Sequence, residues 1–330
     1  MVITRTPFRI SFFGGGTDYP AWYEKNGGTV LSTTIDKYCY ITCRYLPPFF
    51  DNKYLIRYRR REEAKTISEI KHPSVRECLR FTKMDQGIEM VHTSDLPAMS
   101  GLGSSSAFTV GFLHSLHALQ GRVVTKRQLA LDAIHVEQQL IKESVGSQDQ
   151  TAAAFGGLNR IEFGGQEKFK VYPITLTRSK LDFLERHLML FFTGFSRNAS
   201  DIAAEQIERT AEKSKELNAL NGIVADAIRM FAGSDEALDD FGRLLHENWL
   251  LKRSLTSKIT TPFIDEVYDT ARRAGASGGK LLGAGGGGFI LFFVKPELQP
   301  RVREALKNLL YVPFHFETLG SQIIYYAPEQ

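Results

Sequence analysis

The chain has 330 residues, with 41 Lys and Arg against 37 Asp and Glu, a formal charge of +4, 43% hydrophobic residues and 24% charged ones. That length holds two domains of ordinary size, and the composition excludes a disordered chain, a collagen-like repeat and a coiled-coil rod. The charge balance is too even for a nucleic-acid-binding surface, although it leaves room for a local basic site for an anionic ligand.

Three cysteines, Cys39, Cys43 and Cys78, are too few and too odd a set for a disulfide framework. No His or Cys pair completes a zinc set with Cys39 and Cys43, so both read as packing residues. The N-terminal Met-Val-Ile-Thr-Arg holds no apolar signal stretch, and the longest apolar runs, 188–192 and 289–294, are far too short for a membrane span. These features predict a cytoplasmic protein with no membrane and no nucleic-acid partner; the sequence leaves room for a homodimer.

The first third reads as β-rich: residues 29–46 carry alternating and β-branched side chains, 53–58 read as a further strand, and Gly14-Gly15-Gly16 and Gly27-Gly28 mark turns. The basic run of Arg57, Arg59, Arg60 and Arg61, followed by Glu62 and Glu63, reads as a solvated strand end, with a phosphate contact as the alternative. From Ser104 the period becomes helical through Phe108, Phe112, Leu116 and Leu119 until Gly121, and 129–142 predicts a second helix. Strands are predicted within 156–163, 171–176 and 188–193. Amphipathic patterns predict helices over 199–230 and 236–255, and Pro262 opens another that ends near Gly275. A glycine loop over 280–288, a buried strand at 289–294, a helix over 297–310 and a strand at 322–326 complete the chain. The polar stretch 177–187 marks a boundary between two domains, 1–180 and 181–330, and mixed elements without strict βαβ alternation predict an α+β fold.

Three glycine-bearing motifs carry the chemistry. The central one runs from Pro97 through Ser100-Gly101-Leu102-Gly103-Ser104-Ser105-Ser106 into the Phe108 helix. Glycines let a ligand approach the backbone, the first helical turn leaves N–H groups unpaired, and the helix dipole adds positive potential, which together make an anion cradle. Serine hydroxyls suit phosphate oxygens or a Mg2+ ion; the plainer alternative is a loop with a serine cap. A Walker A loop fails, because Ala274 and Leu281 stand where a Gly and a Ser/Thr belong around Gly279-Lys280, and Ser106 replaces the third glycine of a dinucleotide fingerprint. The second motif places Arg9 before Gly14-Gly15-Gly16-Thr17-Asp18: a permanent cation, a flexible turn, and a carboxylate able to accept hydrogen bonds from paired sugar hydroxyls. The third, Lys280 to Phe289, contains Gly285-Gly286-Gly287-Gly288, whose backbone entropy cost argues for close approach to a ligand or to the central motif. Glu137 and Asp149 are two carboxylates that could supply a metal ligand and a proton acceptor for phosphoryl transfer; a solvated helix face and a turn cap are the plainer readings. His92, His114, His117, His135 and His246 lack metal-ligand spacing and read as core or surface residues.

In their order and span the three motifs resemble the small-molecule kinase superfamily of galactokinase, homoserine kinase, mevalonate kinase and phosphomevalonate kinase. The resemblance implies an N-terminal domain like ribosomal protein S5 domain 2, a ferredoxin-like C-terminal domain, and an active site between them. It also implies that Pro97, Ser100, Gly101, Leu102, Gly103, Ser104, Ser105 and Ser106 wrap ATP phosphates. Ser104 or Ser105 with Glu137 would hold Mg2+, Asp149 would act as base, and Arg9 would lie beside it. Gly15, Gly16, Thr17 and Asp18, with Gly285, Gly286 and Gly287, would meet the sugar. Gly14-Gly15-Gly16 departs from the Gly-Glu-His of galactokinases. Together with Gly146-Ser147-Gln148-Asp149-Gln150 and Thr193-Gly194-Phe195-Ser196-Arg197, it looks most like bacterial D-glycero-D-manno-heptose 7-phosphate kinases, which phosphorylate an anomeric hydroxyl. Arg197 or Lys280 would then meet the substrate's own phosphate. A neutral-sugar kinase for galactose, arabinose or fucose, and a non-catalytic sugar and ATP sensor, are the alternatives.

Overall fold

The strand β1 (Val2–Phe13) is buried without interruption from Thr6 onward, so its second half must be covered on both faces. The computed structural model, which describes residues 1–194 and 199–327, shows what covers it. In chain order the elements up to the middle of the molecule are β1, α1 (Pro20–Asn26), β2 (Gly28–Tyr45), β3 (Tyr54–Arg57), β4 (Arg61–Ala64), α2 (Pro73–Phe81), β5 (Ile88–Ser94), α3 (Ser104–Leu119), α4 (Lys126–His135), α5 (Gln148–Phe155), β6 (Asn159–Phe163) and β7 (Phe169–Pro173). The rest are α6 (Arg178–His187), β8 (Leu188–Phe192), α7 (Ala199–Glu208), α8 (Ser214–Ala232), α9 (Phe241–Arg253), α10 (Pro262–Ala274), β9 (Ala276–Leu281), β10 (Phe289–Val294), α11 (Gln299–Ala305), β11 (Leu310–Tyr311), β12 (Phe316–Glu317) and β13 (Gln322–Tyr326).

The strands form a nine-stranded sheet built on β1 and β2 and a four-stranded sheet in the order β11-β8-β10-β9. The two sheets with their helices give the α+β fold expected. The long β2 pairs with β1 along most of its length, with β6 through Gly28–Ser32 and with β5 through Cys39–Tyr45. The buried helix α3 lies against β1 and β2, and Gly111 makes that approach possible, since a Cβ there would stand 2.8 Å from Thr6 Oγ1. A second core, around Trp22, Trp249, Tyr268 and Phe292, fills the space under the smaller sheet.

Several expectations change. Residues 177–187 form α6, capped by the Thr177 hydroxyl accepting from the Lys180 N–H. A division at residue 180 is followed by the sheets only in part, because β12 and β13 return to pair with β2 and β1. The 297–310 helix stops at Ala305, and 280–288 is not all loop, since β9 runs to Leu281.

The smaller sheet holds its helix by backbone contact. A Cβ on Gly278 of β9 would lie 1.7 Å from the Gly242 carbonyl oxygen of α9, so α9 has no room to accommodate a methyl group. Gly278→Ala should therefore cost about 3 kcal/mol or more in chemical denaturation. Gly222→Ala, on α8 where a Cβ meets nothing within 4 Å, should instead gain about 0.5–1 kcal/mol.

Candidate active site

The central motif and the glycine loop are one piece of architecture. Gly101 and Gly103 have left-handed φ of 83° and 75°. A Cβ on Gly101 would stand 2.4 Å from the Leu282 oxygen, one on Gly283 2.4 Å from the Gly101 Cα, and one on Gly288 2.4 Å from the Ser100 oxygen. The Phe289 N–H donates to the Ser100 carbonyl at 3.0 Å. The glycines thus bring bare backbone to the central turn, the second of the two roles foreseen for them. Gly285 packs on Ile259 and the Gly286 N–H donates to the Ile259 carbonyl. Gly283 and Ala284 border the cavity, and Gly285, Gly286 and Gly287 are not among the residues that line it. Ser100 is buried and its hydroxyl closes the turn onto the Pro97 carbonyl at 2.7 Å. Leu102 is a core anchor beneath it.

Against this turn stands an ion pair. Arg9 Nε donates to Asp149 Oδ1 at 2.8 Å and Nη2 to Oδ2 at 2.7 Å. The remaining Nη1 donates to the Gly101 carbonyl at 2.8 Å, and the Arg9 N–H to the Leu102 carbonyl at 3.1 Å. Asp149 stands in the first turn of α5, where a carboxylate is favoured by the helix dipole. Gly103 leaves room for the pair, since a Cβ there would be 3.2 Å from Asp149 Oδ2.

Asp18 lies nearby, buried, with Oδ1 accepting from the Gly16 N–H at 3.0 Å. Burial, then the Asp149 charge, pushes its carboxyl up. Gly146 makes space for it, since a Cβ there would fall 1.9 Å from Asp18 Oδ2. The turn before it is clamped from the other half of the chain: Asn248 on α9 accepts from the Gly14 N–H, and Asn221 on α8 from the Thr29 N–H. Thr17 is fully buried, with its hydroxyl directed to the Gly14 and Thr29 carbonyls. Gly16 borders the cavity and Gly15 does not. Lys280 borders the cavity too. Its Nζ is buried and donates to the Phe12 carbonyl at 2.8 Å, fastening β9 to β1, and burial holds the ammonium well below the usual lysine range. Arg197 lies outside the described residues.

Glu137 is fully buried on a π turn that extends α4. Its Oε2 accepts from Ser106 Oγ at 2.8 Å and from Gln150 Nε2, whereas its Oε1 and the Oε1 of Gln150 are buried without partners. Burial, reinforced by Glu143, pushes the carboxyl up to about 7. Orphaned oxygens behind the N-terminus of α3 fit a hard divalent cation. The serine brought to Glu137 is Ser106, in place of the expected Ser104 or Ser105. Those two border the cavity, where the Ser105 hydroxyl bonds Glu143. Among the described residues no group of three His, Cys, Asp or Glu forms a metal cage, so an ion here would share its coordination with phosphates.

Arg9, Asp18, Asp149, Gly101, Gly103, Ser104, Ser105 and Ser106 border a cavity of about 1230 Å³. One end, beyond α3, is walled by Tyr58, His72, His92 and Phe108, with His72 stacked on Phe108 at 4.9 Å. Arg59 of the basic run reaches this wall. The other end holds Asp18, the start of α7 and Lys252, a residue that motif spacing did not single out. A signal was present: Lys252 falls on the buried stripe of α9 with Leu245, Asn248 and Trp249, an unusual place for a lysine.

The chain matches the GHMP kinases N terminal domain over residues 70–157 and the GHMP kinases C terminal model over 231–312. It is 30% identical to the D-glycero-alpha-D-manno-heptose 7-phosphate kinase of Campylobacter jejuni, over 92% of this chain and 93% of that one. It is 29% identical to the mevalonate kinase of Thermococcus gammatolerans over 68% of this chain and 64% of that one. The structure superposes on a D-glycero-D-manno-heptose 1-phosphate kinase from Bacteroides thetaiotaomicron with a TM-score of 0.76 at 25% identity, covering 99% of this chain and 100% of that one. It superposes on Lactococcus lactis galactokinase with a TM-score of 0.75 at 18% identity, over 98% and 95% of the two chains, a likeness of fold alone. The protein belongs to the GHMP kinase family, and is an ATP-dependent kinase. Among the described residues no helix is long and apolar enough to cross a membrane.

The buried Glu137 carboxyl gives a stability test. Its folded value lies above the 4.5 of an unperturbed glutamate, so its contribution is full below about pH 4.5 and is lost as pH rises through about 7. Glu137→Gln should remove that loss. In chemical denaturation the balance should shift toward the variant, relative to wild type, by on the order of 3 kcal/mol between pH 5 and pH 8.

Proposed function

We propose that the protein transfers the γ-phosphoryl group of ATP to the anomeric hydroxyl of a sugar phosphate, D-glycero-D-manno-heptose 7-phosphate, giving the 1,7-bisphosphate used for nucleotide-activated heptose. The observation that carries this reading is the Arg9–Asp149 pair, bonded directly to the phosphate turn and bordering the same cavity as Asp18. The Campylobacter and Bacteroides proteins share in their names a heptose that carries a phosphate.

In this reading the nucleotide's phosphates lie over Gly101–Ser106, with the N-terminus of α3 behind them, and the base lies toward His72 and Phe108. Asp18 accepts hydrogen bonds from sugar hydroxyls. Asp149 takes the proton of the attacking hydroxyl, while the Arg9 fork holds both its oxygens in one orientation. The P–O bond to the β-phosphate breaks, the bond to the sugar oxygen forms, and ADP leaves. Glu137 and Ser106, with Ser104 or Ser105, would hold Mg2+, which offsets phosphate charge when bound. The cytoplasm, where ATP and sugar phosphates meet, is the place for such an enzyme.

Incubation with ATP and a panel of heptose 7-phosphate, heptose 1-phosphate, galactose, arabinose and fucose, followed by phosphorus NMR of the product, reads sugar and position together. Heptose 7-phosphate should be consumed fastest and gain an anomeric phosphate; preferential turnover of a free sugar contradicts the reading. Asp149→Asn should lower kcat about 10³-fold or more while ATP-analogue affinity stays within about threefold. Substantial residual turnover would remove Asp149 as the base.

A further inference from the structure

Lys252 is a buried cation to which, among the described residues, no carboxylate is bonded. It is 6% exposed, yet it borders the cavity. Its ammonium has three donors, and the hydrogen bond it makes among the described residues is to the Gly283 carbonyl. A charge buried this way is costly unless an anion compensates it. The charged groups facing it are Arg9 from β1, Asp18 from the following turn, Asp149 from α5 and Lys280 from β9. Asp149 is already held by the two-pronged Arg9 fork, and Asp18 acts on Lys252 only through space. Gly283, which anchors the ammonium, presses on Gly101. The free donors therefore sit where the phosphate turn, the proton acceptor and the sugar site converge.

We propose that Lys252 is a catalytic residue that contacts the oxygens of the phosphoryl group during transfer, supplying a positive charge from α9. It neither gives nor takes a proton: the hydroxyl proton goes to Asp149, the electron pair of the breaking P–O bond leaves with ADP, and the ammonium follows the charge. Lys280 borders the same cavity and donates to the Phe12 carbonyl, and at 1% exposure it is the more deeply buried of the two ammoniums. The inference rests on the reading of this cavity as a sugar-kinase site.

Burial, with Arg9 adding to it, holds the Lys252 ammonium down to about 8. Below that pH the cation is present and above it the charge is lost. kcat/KM should therefore fall on the alkaline side of about pH 8. In kcat the same limb should move to higher pH, because bound phosphates favour the charged form.

The test compares wild type, Lys252→Met and Lys252→Arg on whichever acceptor wild type uses, with melting temperature and ATP-analogue affinity measured alongside. Lys252→Met should lose about 10²–10³-fold in kcat with acceptor KM and nucleotide affinity within about threefold. Lys252→Arg should recover at least about tenfold of that loss and show no alkaline limb near pH 8. If Lys252→Met does not fold, Lys252→Gln serves in its place. The proposal is overturned if the uncharged variant keeps kcat within about threefold, or if its loss only parallels lost nucleotide binding, as a tether for the glycine loop would give. A wild type that prefers a free sugar overturns the heptose assignment and leaves this comparison valid; a wild type with no acceptor overturns both.

Discussion

The arrangement depends on one buried guanidinium. Arg9 uses its side chain to hold both oxygens of Asp149 and the Gly101 carbonyl, and its backbone to hold Leu102. Three segments that are distant in sequence, the first strand, the phosphate turn and the start of α5, thereby meet at one residue whose side chain is 5% exposed. Removing the Asp149 charge would leave the buried Arg9 guanidinium without its partner, at about 3–5 kcal/mol, whereas the Asp149 side chain is 26% exposed. The planar fork explains why a lysine would not substitute: a point charge cannot fix both carboxylate oxygens and a carbonyl at once.

Around that pair, close packing replaces side-chain bulk with bare backbone wherever the two halves of the molecule meet. Gly101 against Leu282 and Gly288 against Ser100 each leave no space for a methyl group. These contacts set the distance between the phosphate turn and the C-terminal half, and with it the depth at which Lys252 enters. The unpartnered oxygens of Glu137 and Gln150 and the sparsely bonded Lys252 ammonium are costly features of a free protein. Lys252 borders the cavity where the phosphates and the transferred group are proposed to lie, and Glu137 is bonded to Ser106, which borders it too.

Much of this was legible in the sequence because its signals are local. The serine-rich turn into α3 shows as a change of period at Ser104. The strand pair around β2 and the buried β10 show as β-branched or apolar runs of strand length. The approach of Glu137 to α3 was not legible to the residue: nothing in three consecutive serines says which one turns inward, and the helix phase selects Ser106. The bonds of Thr17 and Lys280 carry no local mark: a hydroxyl or ammonium beside glycines suggests a ligand, and the sequence does not show that they donate to the Thr29 and Phe12 carbonyls. The return of β12 and β13 to the first sheet is a non-local pairing with no local mark, so a cut at residue 180 was the natural reading. Lys252 carried a signal that was passed over, a lysine on an apolar helical stripe.

The most direct test of the central claim is a double-mutant cycle on kcat/KM for the sugar acceptor, with Arg9→Met, Asp149→Asn and the two combined. If Arg9 acts by holding Asp149 in place, the double variant should be no worse than the poorer single variant, within about threefold. Fully additive losses would show that the two side chains act independently, and would contradict the account.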